Sequence, residues 1–335
     1  MILAFLSVGC SDPQLISKIS GPTMGTEYHI SWVTNKLSNN EIKEEHGQVK
    51  ALVNDLLVDF NKSMSTYDPT SELSIINQQY DSAWQVISAD LYRVLMMAVR
   101  VNQQSNGAFD VTVGPLVNLW GFGPSKSQDQ VPDKEEILAM LQGIGSDAIH
   151  LRQRDGRFEL QLSGQRYIDL SAIAKGDAVD VLGNLLQRQG INNYLVEVGG
   201  EIIAHGRKPE NQPWRIAIEA PNDDGRSVQI VIPLSNMGVA TSGDYRNFFE
   251  QDGQRFSHTI DGRTGYPVKH ELASVSVLHK SVALADAWAT ALTVLGAEVG
   301  LKLAEEYSLA AYFIVRTDNG FEQYTSSQFE QLRLN

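Results

Sequence analysis

Cysteine is almost absent from this 335-residue chain. Cys10 is the only one, so no internal disulfide framework holds the fold. Positive charge is scarce as well: 27 Lys and Arg face 40 Asp and Glu, for a net charge of −13. Such a balance disfavours general binding to nucleic acid or to an anionic membrane. An anionic substrate therefore needs a local device, either a metal ion or a helix N-terminus. Beyond the N-terminus, no run reads as the ~20 apolar residues of a spanning helix. There is no internal repeat, no low-complexity block and no Pro/Ser linker separating two autonomous domains. The P-loop pattern G-x-x-x-x-G-K-[ST] is missing too. What remains is a globular composition, 42% hydrophobic and 20% charged with 27 Gly.

The place of the one cysteine is informative. "MILAFLSVGC" is an apolar stretch ending in small residues and Cys, and the polar "SDPQ" follows. It resembles the end of a bacterial lipoprotein signal, although Ser7 stands where Leu is usual and no basic segment precedes it. On that reading residues 1–20 are signal remnant and tether, residues 21–335 form the working domain, and Cys10 carries an acyl anchor on the outer face of a membrane. The alternative is a frayed apolar terminus with an incidental Cys.

Further along, "TEYHISWV" alternates as a strand, and residues 40–62 read as a helix with Val49, Leu52, Val53, Leu56, Leu57 and Phe60 on one side. Residues 68–77 read as a turn and a short helix capped by Ser71, residues 84–105 as an amphipathic helix, and residues 134–143 as a surface helix. "AIHLRQ", "RFELQLS" and "RYIDLS" are expected as strands that lead into a helix ending at Gly190. More strands are expected in "NYLVEVGGEIIAHG", "PWRIAIEAP", "SVQIVIPL", "MGVATSG", "LASVSVLH", "AAYFIVRT" and "FEQYTS", with a helix over 284–296. Strands outnumber helices without regular βαβ alternation, which gives an α+β class.

Several clusters carry candidate chemistry. In "LADAWATAL" an apolar run contains Asp286 and Thr290, an i,i+4 pair on one helical face. Either Asp286 caps its helix and Thr290 bonds back one turn, or both are hard oxygen donors to a divalent cation. In "GPTMGTEYHI" the glycines permit a tight backbone around Met24, which is either a core side chain or a soft surface for a planar ring. "GAFDVTVGPLVNLWGFG" sets Phe109, Asp110, Trp120 and Phe122 among glycines, as a flat-ligand site or as a hydrophobic plug. "DLSAIAKGDAVD" places Asp169 and Ser171 before a helix whose first turn holds Lys175 and Gly176, a ready phosphate site. Arg246 and Arg255 are candidate phosphate ligands. His258, near the turn residues Asp261 and Thr264, is a candidate base or a structural strand residue.

Eight segments in this order, "GPTMGTEY", "MSTYDPTSELSIIN", "GAFDVTVGPLVNLWGFG", "DLSAIAKGDAVD", "VEVGGEI", "TSGDYRNFF", "RFSHTIDGRTGYP" and "ADAWATAL", resemble the ApbE family of FAD:protein FMN transferases. The resemblance implies one α+β unit whose lobes enclose FAD, with Mg²⁺ at the pyrophosphate. It also implies transfer of FMN from FAD to a Thr or Ser hydroxyl as a phosphoester, with AMP released. The implied acceptors are subunits of membrane flavoprotein complexes with a "DGxTGAT"-like signature, and an envelope, periplasm-facing location agrees with the lipobox-like start. By residue, the resemblance assigns the metal to Asp286, Thr290 and the carbonyl of Ala174. It assigns flavin contacts to Met24, Tyr67, Ala108, Phe109, Asp110, Ser171, Asp177 and Ile260, and the base to His258. Asp177 departs from the family's usual Tyr and cannot stack on adenine. Two rival readings are an FAD hydrolase, with water as acceptor, and a non-catalytic flavin-binding lipoprotein.

Overall fold

Most of the alternating segments assemble into an eight-stranded antiparallel sheet, while Ile149–Arg154 and Arg157–Leu162 pair in a smaller one. The computed structural model describes residues 15–78, 81–123, 131–221, 228–244, 248–251 and 253–334. Eight strands lie side by side in the order Leu15–Thr23, Thr26–Thr34, Tyr194–Val198, Glu201–His205, Met237–Gly243, Leu272–His279, Ala310–Thr317 and Gly320–Thr325. Every neighbouring pair is antiparallel. The α+β expectation holds.

The strand period of two explains why "AAYFI" is apolar without interruption. Ala311 and Phe313 face the main core, while Ala310, Tyr312 and Ile314 face a second core on the opposite side of the sheet. Helices Asn39–Met64, Ala89–Gln104, Ala174–Arg188 and Val282–Glu306 bury their apolar residues in the main core. The hairpin Trp214–Glu219/Val228–Leu234 and Phe329 of the helix Ser327–Leu334 close the second. A third cluster, with Leu116, Trp120, Ile137, Phe249, Phe256 and Ile260, forms a smaller lobe. Trp120 stacks on Phe256 there and donates its indole N–H to the carbonyl of Gly265. For Trp120 the plug reading is the one observed, while Phe109 and Phe122 of the same segment line the cavity described below.

Helix Val282–Glu306 is long and apolar enough to cross a membrane, which the sequence reading did not anticipate. Its first half, residues 282–295, is largely apolar because it is buried, whereas the second half exposes Glu298, Val299, Lys302 and Glu305. Gly296, at φ 75° and ψ 172°, interrupts it where the expected 284–296 helix ends. A side chain at Gly296 would put its Cβ 2.8 Å from the ring of His270.

Three expectations need correction. Residues 15–20, read as tether, belong to the edge strand, with Ile19 opposite Ile30. Residues 1–14, including Cys10, lie outside the described residues. Residues 84–105 are not one helix: Gln85–Ile87 is a strand, and Ser88 caps the helix Ala89–Gln104 by accepting from Leu91 N. "RYIDLS" joins no sheet. Its backbone is paired instead by a side chain, as Asn77 exchanges two 2.8 Å hydrogen bonds with the N–H and C=O of Ile168. Asp169 N donates to the carbonyl of Val111, which ties the segment to the Gly-rich loop.

Candidate active site

Two helix N-termini meet in the core because one of them carries a glycine. A Cβ on Gly176 would lie 2.4 Å from the carbonyl oxygen of Val282 and 2.8 Å from Cα of Ala283. No side chain fits, and the close approach lets Asp286 Oδ2 accept the Gly176 N–H at 3.2 Å. Asp286 does not cap its own helix. Ser281 does that, accepting from Leu284 N. Asp180 completes the end by accepting from Val282 N, Ala283 N and Ser281 Oγ. With its own helix satisfied, Asp286 is left to serve its neighbour and the adjoining cavity, so the cap reading of "LADAWATAL" falls.

That cavity has a volume of about 380 Å³ and lies between the main core and the smaller lobe. One group of lining residues is apolar: Phe109, Val111, Val113, Val117, Phe122, Ile260 and Val294. The other is polar and mutually bonded. Lys175 Nζ donates to Glu201 Oε1 at 2.7 Å and lies 3.9 Å from Asp286 Oδ2. Thr290 and Ser242 pair their hydroxyls at 3.1 Å. An elongated ligand with a flat apolar end and an anionic end matches this division.

Burial sets the electrostatics of the polar group. It pushes Glu201 up to about 7, with Lys175 pulling the other way and Asp286 adding to the rise. It also raises Asp286, against the opposing pull of Lys175 and the Gly176 N–H. For Lys175 burial works against the ammonium, but Asp286 and Glu201 outweigh it and hold the amine protonated. Two carboxylates thus share one ammonium. Glu201 Oε2 is buried without a hydrogen-bond partner, and Asp286 Oδ1 accepts no hydrogen bond among the described residues. With both carboxylates ionised the cluster carries more negative than positive charge.

The donor set fits Mg²⁺. It offers a hard carboxylate with one oxygen uncommitted and a hydroxyl one turn away, and no soft ligand. Among the described residues no three His, Cys, Asp or Glu side chains gather as a metal cluster. A hard cation here would draw its other ligands from phosphate and water, which is common for Mg²⁺.

The structure brings Tyr67, Ala108, Phe109, Asp110, Ser171, His258, Ile260, Asp286 and Thr290 to the cavity lining. Tyr67 is an exposed rim residue, whereas Ala108 and Phe109 are buried. The Asp110 carboxylate is committed to folding its loop, accepting five hydrogen bonds from Asn102, Thr112 and Ser146. Ser171 donates its hydroxyl to Asp169 at 2.5 Å. His258 lies edge-on to Phe122, ring centres 6.3 Å apart.

Three assigned residues do not line the cavity. Ala174 is the buried first residue of its helix, two positions before the Gly176 N–H that Asp286 binds. Met24 sits in the two-residue hairpin turn with Gly25, at φ 50°, packed against the main core. Asp177 is fully buried against Arg93, 3.0 Å from Nη2, so its side chain is spent on an ion pair between helices. Arg255, a candidate phosphate ligand, does not line the cavity. It lies over the ring of Phe248 and donates to the carbonyl of Asp244. Arg246 lies outside the described residues. Sequence reasoning missed Glu201 and Ser242 as cavity residues. For Glu201 a signal existed, since an acidic residue between "GG" and an apolar strand has to be buried or bridged.

Comparison with known proteins agrees with this architecture. A profile of the ApbE family matches residues 24–313. The FAD:protein FMN transferase of Haemophilus influenzae is 43% identical over 333 residues, covering 98% of this chain and 95% of that protein. The Escherichia coli K12 FAD:protein FMN transferase is 37% identical, covering 94% and 88%. The solved flavin transferase ApbE from Vibrio cholerae superposes with a TM-score of 0.85 at 43% identity, covering 95% of this chain and 99% of that one. The apo Pseudomonas stutzeri flavinyl transferase ApbE also gives 0.85, at 37% identity, covering 96% and 97%. The class these relatives define is that of the flavin transferases. Within it, this chain belongs to the ApbE family.

Proposed function

We propose that the protein transfers FMN from FAD to a Ser or Thr hydroxyl of a flavoprotein subunit, forming a phosphoester and releasing AMP. The observation that carries this reading is the cavity's division between an apolar wall and the Asp286–Lys175–Glu201–Thr290 cluster. The acceptor oxygen forms a bond to the FMN phosphorus, and the bond from that phosphorus to the bridging oxygen breaks. AMP leaves with that oxygen, and the hydroxyl proton passes to a base.

The chain's own residues divide this work. Phe109, Phe122 and Ile260 supply apolar surface to the isoalloxazine ring and exclude water from it. Lys175 presents a fixed ammonium to the diphosphate, held in place by Glu201. Asp286 and Thr290 would hold Mg²⁺, which supplies charge neutralisation to the phosphoryl oxygens. His258 is proposed to take the acceptor's proton. A positioned base contributes typically ~10²–10⁴-fold.

The lipobox-like "MILAFLSVGC" supports an acyl anchor at Cys10 and acceptors at the outer face of the same membrane, with the "DGxTGAT"-like segment as the modified site. Asp286→Ala should abolish Mg²⁺-dependent flavin attachment, read as flavin fluorescence on the denatured acceptor band. Unchanged Mg²⁺ dependence in that variant would remove Asp286 from the site.

A further inference from the structure

The main sheet splits beside the flavin cavity. Strand Met237–Gly243 pairs with Glu201–His205 only as far as Val239 opposite Ile202. Its other edge stays paired with Leu272–His279 as far as Gly243 opposite Ser274. Carried on, the interrupted register would set Thr241 opposite Gly200. Instead the chain turns at Gly199 and Gly200, with φ of 59° and 107°. A groove of about 590 Å³ lies along the split, lined among others by Thr241, Gly243, Gly199, Gly200 and Ala217. Thr241 and Gly243 also line the flavin cavity, so the two spaces meet along this strand.

The backbone on that edge is turned toward the groove. Asp244 donates its N–H to the carbonyl of Ala273 on the paired side. Backbone groups alternate sides along a strand. Those of Ser242 therefore point with Asp244, and those of Thr241 and Gly243 point into the split. No strand among the described residues takes them up there. An unpaired edge of this kind is a template for an added extended chain. The polar end of the cavity is adjacent, since Ser242 sits between Thr241 and Gly243 and its hydroxyl is 3.1 Å from that of Thr290.

We propose that this groove docks an extended segment of the acceptor protein as a short strand along Thr241–Gly243, delivering its hydroxyl to the diphosphate. The proposal rests on the FMN-transfer reading. A second cavity, between Asp261 and His270, touches the flavin site only at Val294, two helical turns past Asp286 and among the apolar lining. It leads away from the reacting phosphorus. Glu27 and Glu197 wall the docking groove around His29, whose Nε2 is 3.7 and 3.8 Å from their carboxylates. These acidic walls disfavour an acidic neighbour of the acceptor hydroxyl.

The test uses Ala217→Arg, a substitution at an exposed position on the groove wall, outside the flavin site. FMN transfer is measured against the concentration of an acceptor domain carrying a "DGxTGAT"-like segment. The apparent KM for acceptor should rise at least ~10-fold, a cost of about 1.4 kcal/mol, with FAD affinity and kcat at saturating acceptor held within about twofold. In the unsubstituted enzyme loaded with FAD, an acceptor whose Thr is replaced by Val should protect the amides of Thr241 and Gly243 from hydrogen exchange. An unchanged acceptor KM together with unprotected amides overturns the docking proposal alone. Failure of the unsubstituted enzyme to attach FMN to the acceptor overturns the transfer reading, and the docking proposal with it.

Discussion

Gly176→Ala is the smallest change that should dismantle the polar end of the site. The new Cβ would stand 2.4 Å from Val282 O and 2.8 Å from Ala283 Cα, both backbone atoms that cannot swing aside. Alanine by itself favours a helix interior over glycine by roughly 0.5–1 kcal/mol. Overpacking costs about 1–3 kcal/mol. Parting the helices also loses the Gly176 N–H bond to the Asp286 carboxylate, worth about 1.5–3 kcal/mol for a charged acceptor. The net destabilisation is about 2–4 kcal/mol. With an unfolding entropy near ~2.1 cal/mol/K per residue over this length, Tm should fall by roughly 3–6 °C. Activity should fall further than stability, because a misplacement of ~1 Å at a reacting site costs on the order of 10²-fold. Thermal unfolding and FMN transfer at 25 °C, where the variant remains folded, check both parts. A variant with parental Tm and parental rate would refute the claim that close helix contact at Gly176 builds the site.

Other outcomes follow from the same geometry. Met24 occupies a left-handed position (φ 50°) in a two-residue turn that favours Asn-Gly, so Met24→Asn should raise Tm by relieving about 1 kcal/mol of strain. If Met24 also touches flavin, the same variant should bind FAD more weakly in titration. His258→Ala should retain FAD and Mg²⁺ binding while losing ~10²-fold or more of the transfer rate, and near-parental transfer at saturating FAD excludes the base role. Arg93→Met leaves Asp177 buried and unpaired, and should cost roughly 3 kcal/mol in chemical unfolding near pH 8. Burial already raises the Asp177 pKa above 3.8, and loss of Arg93 raises it further. A raised carboxylate favours the folded state below 3.8 and loses that contribution as pH rises through the folded value. The variant should therefore be less destabilised at pH 5 than at pH 8, and the opposite trend would contradict the assignment.

Much of the fold was legible because it follows from period and length. "AAYFIVRT" and "LASVSVLH" become strands buried on both faces of the sheet. "LADAWATAL" was legible as two alternatives, and a third residue decided between them. Asp180, over a hundred positions away, takes the Val282 and Ala283 N–H groups beside the Ser281 cap and so frees Asp286. Spacing along the chain carries no trace of such a partner. "RYIDLS" failed for a related reason: Asn77 satisfies its backbone, so an apolar alternating run has no need of a neighbouring strand. Asp177 carries the signature of a helix first turn, but its actual environment is set by Arg93 on another helix. The cavity residues found in advance lie in loops and helix starts with unusual composition. Ser242 comes from an ordinary strand, where only the three-dimensional sheet shows that it faces the cavity, and Glu201 is marked only by being acidic at the start of an apolar strand.

The central claim is that the cavity moves FMN from FAD onto a protein hydroxyl. Incubation with FAD, Mg²⁺ and an acceptor domain bearing a "DGxTGAT"-like segment, followed by intact mass of the acceptor and quantitation of AMP, tests it most directly. The account predicts one FMN phosphoester per acceptor, absent when the acceptor Thr is replaced by Val, with AMP in equal amount. An unmodified acceptor alongside free FMN and AMP, or FAD bound and not consumed, would contradict it.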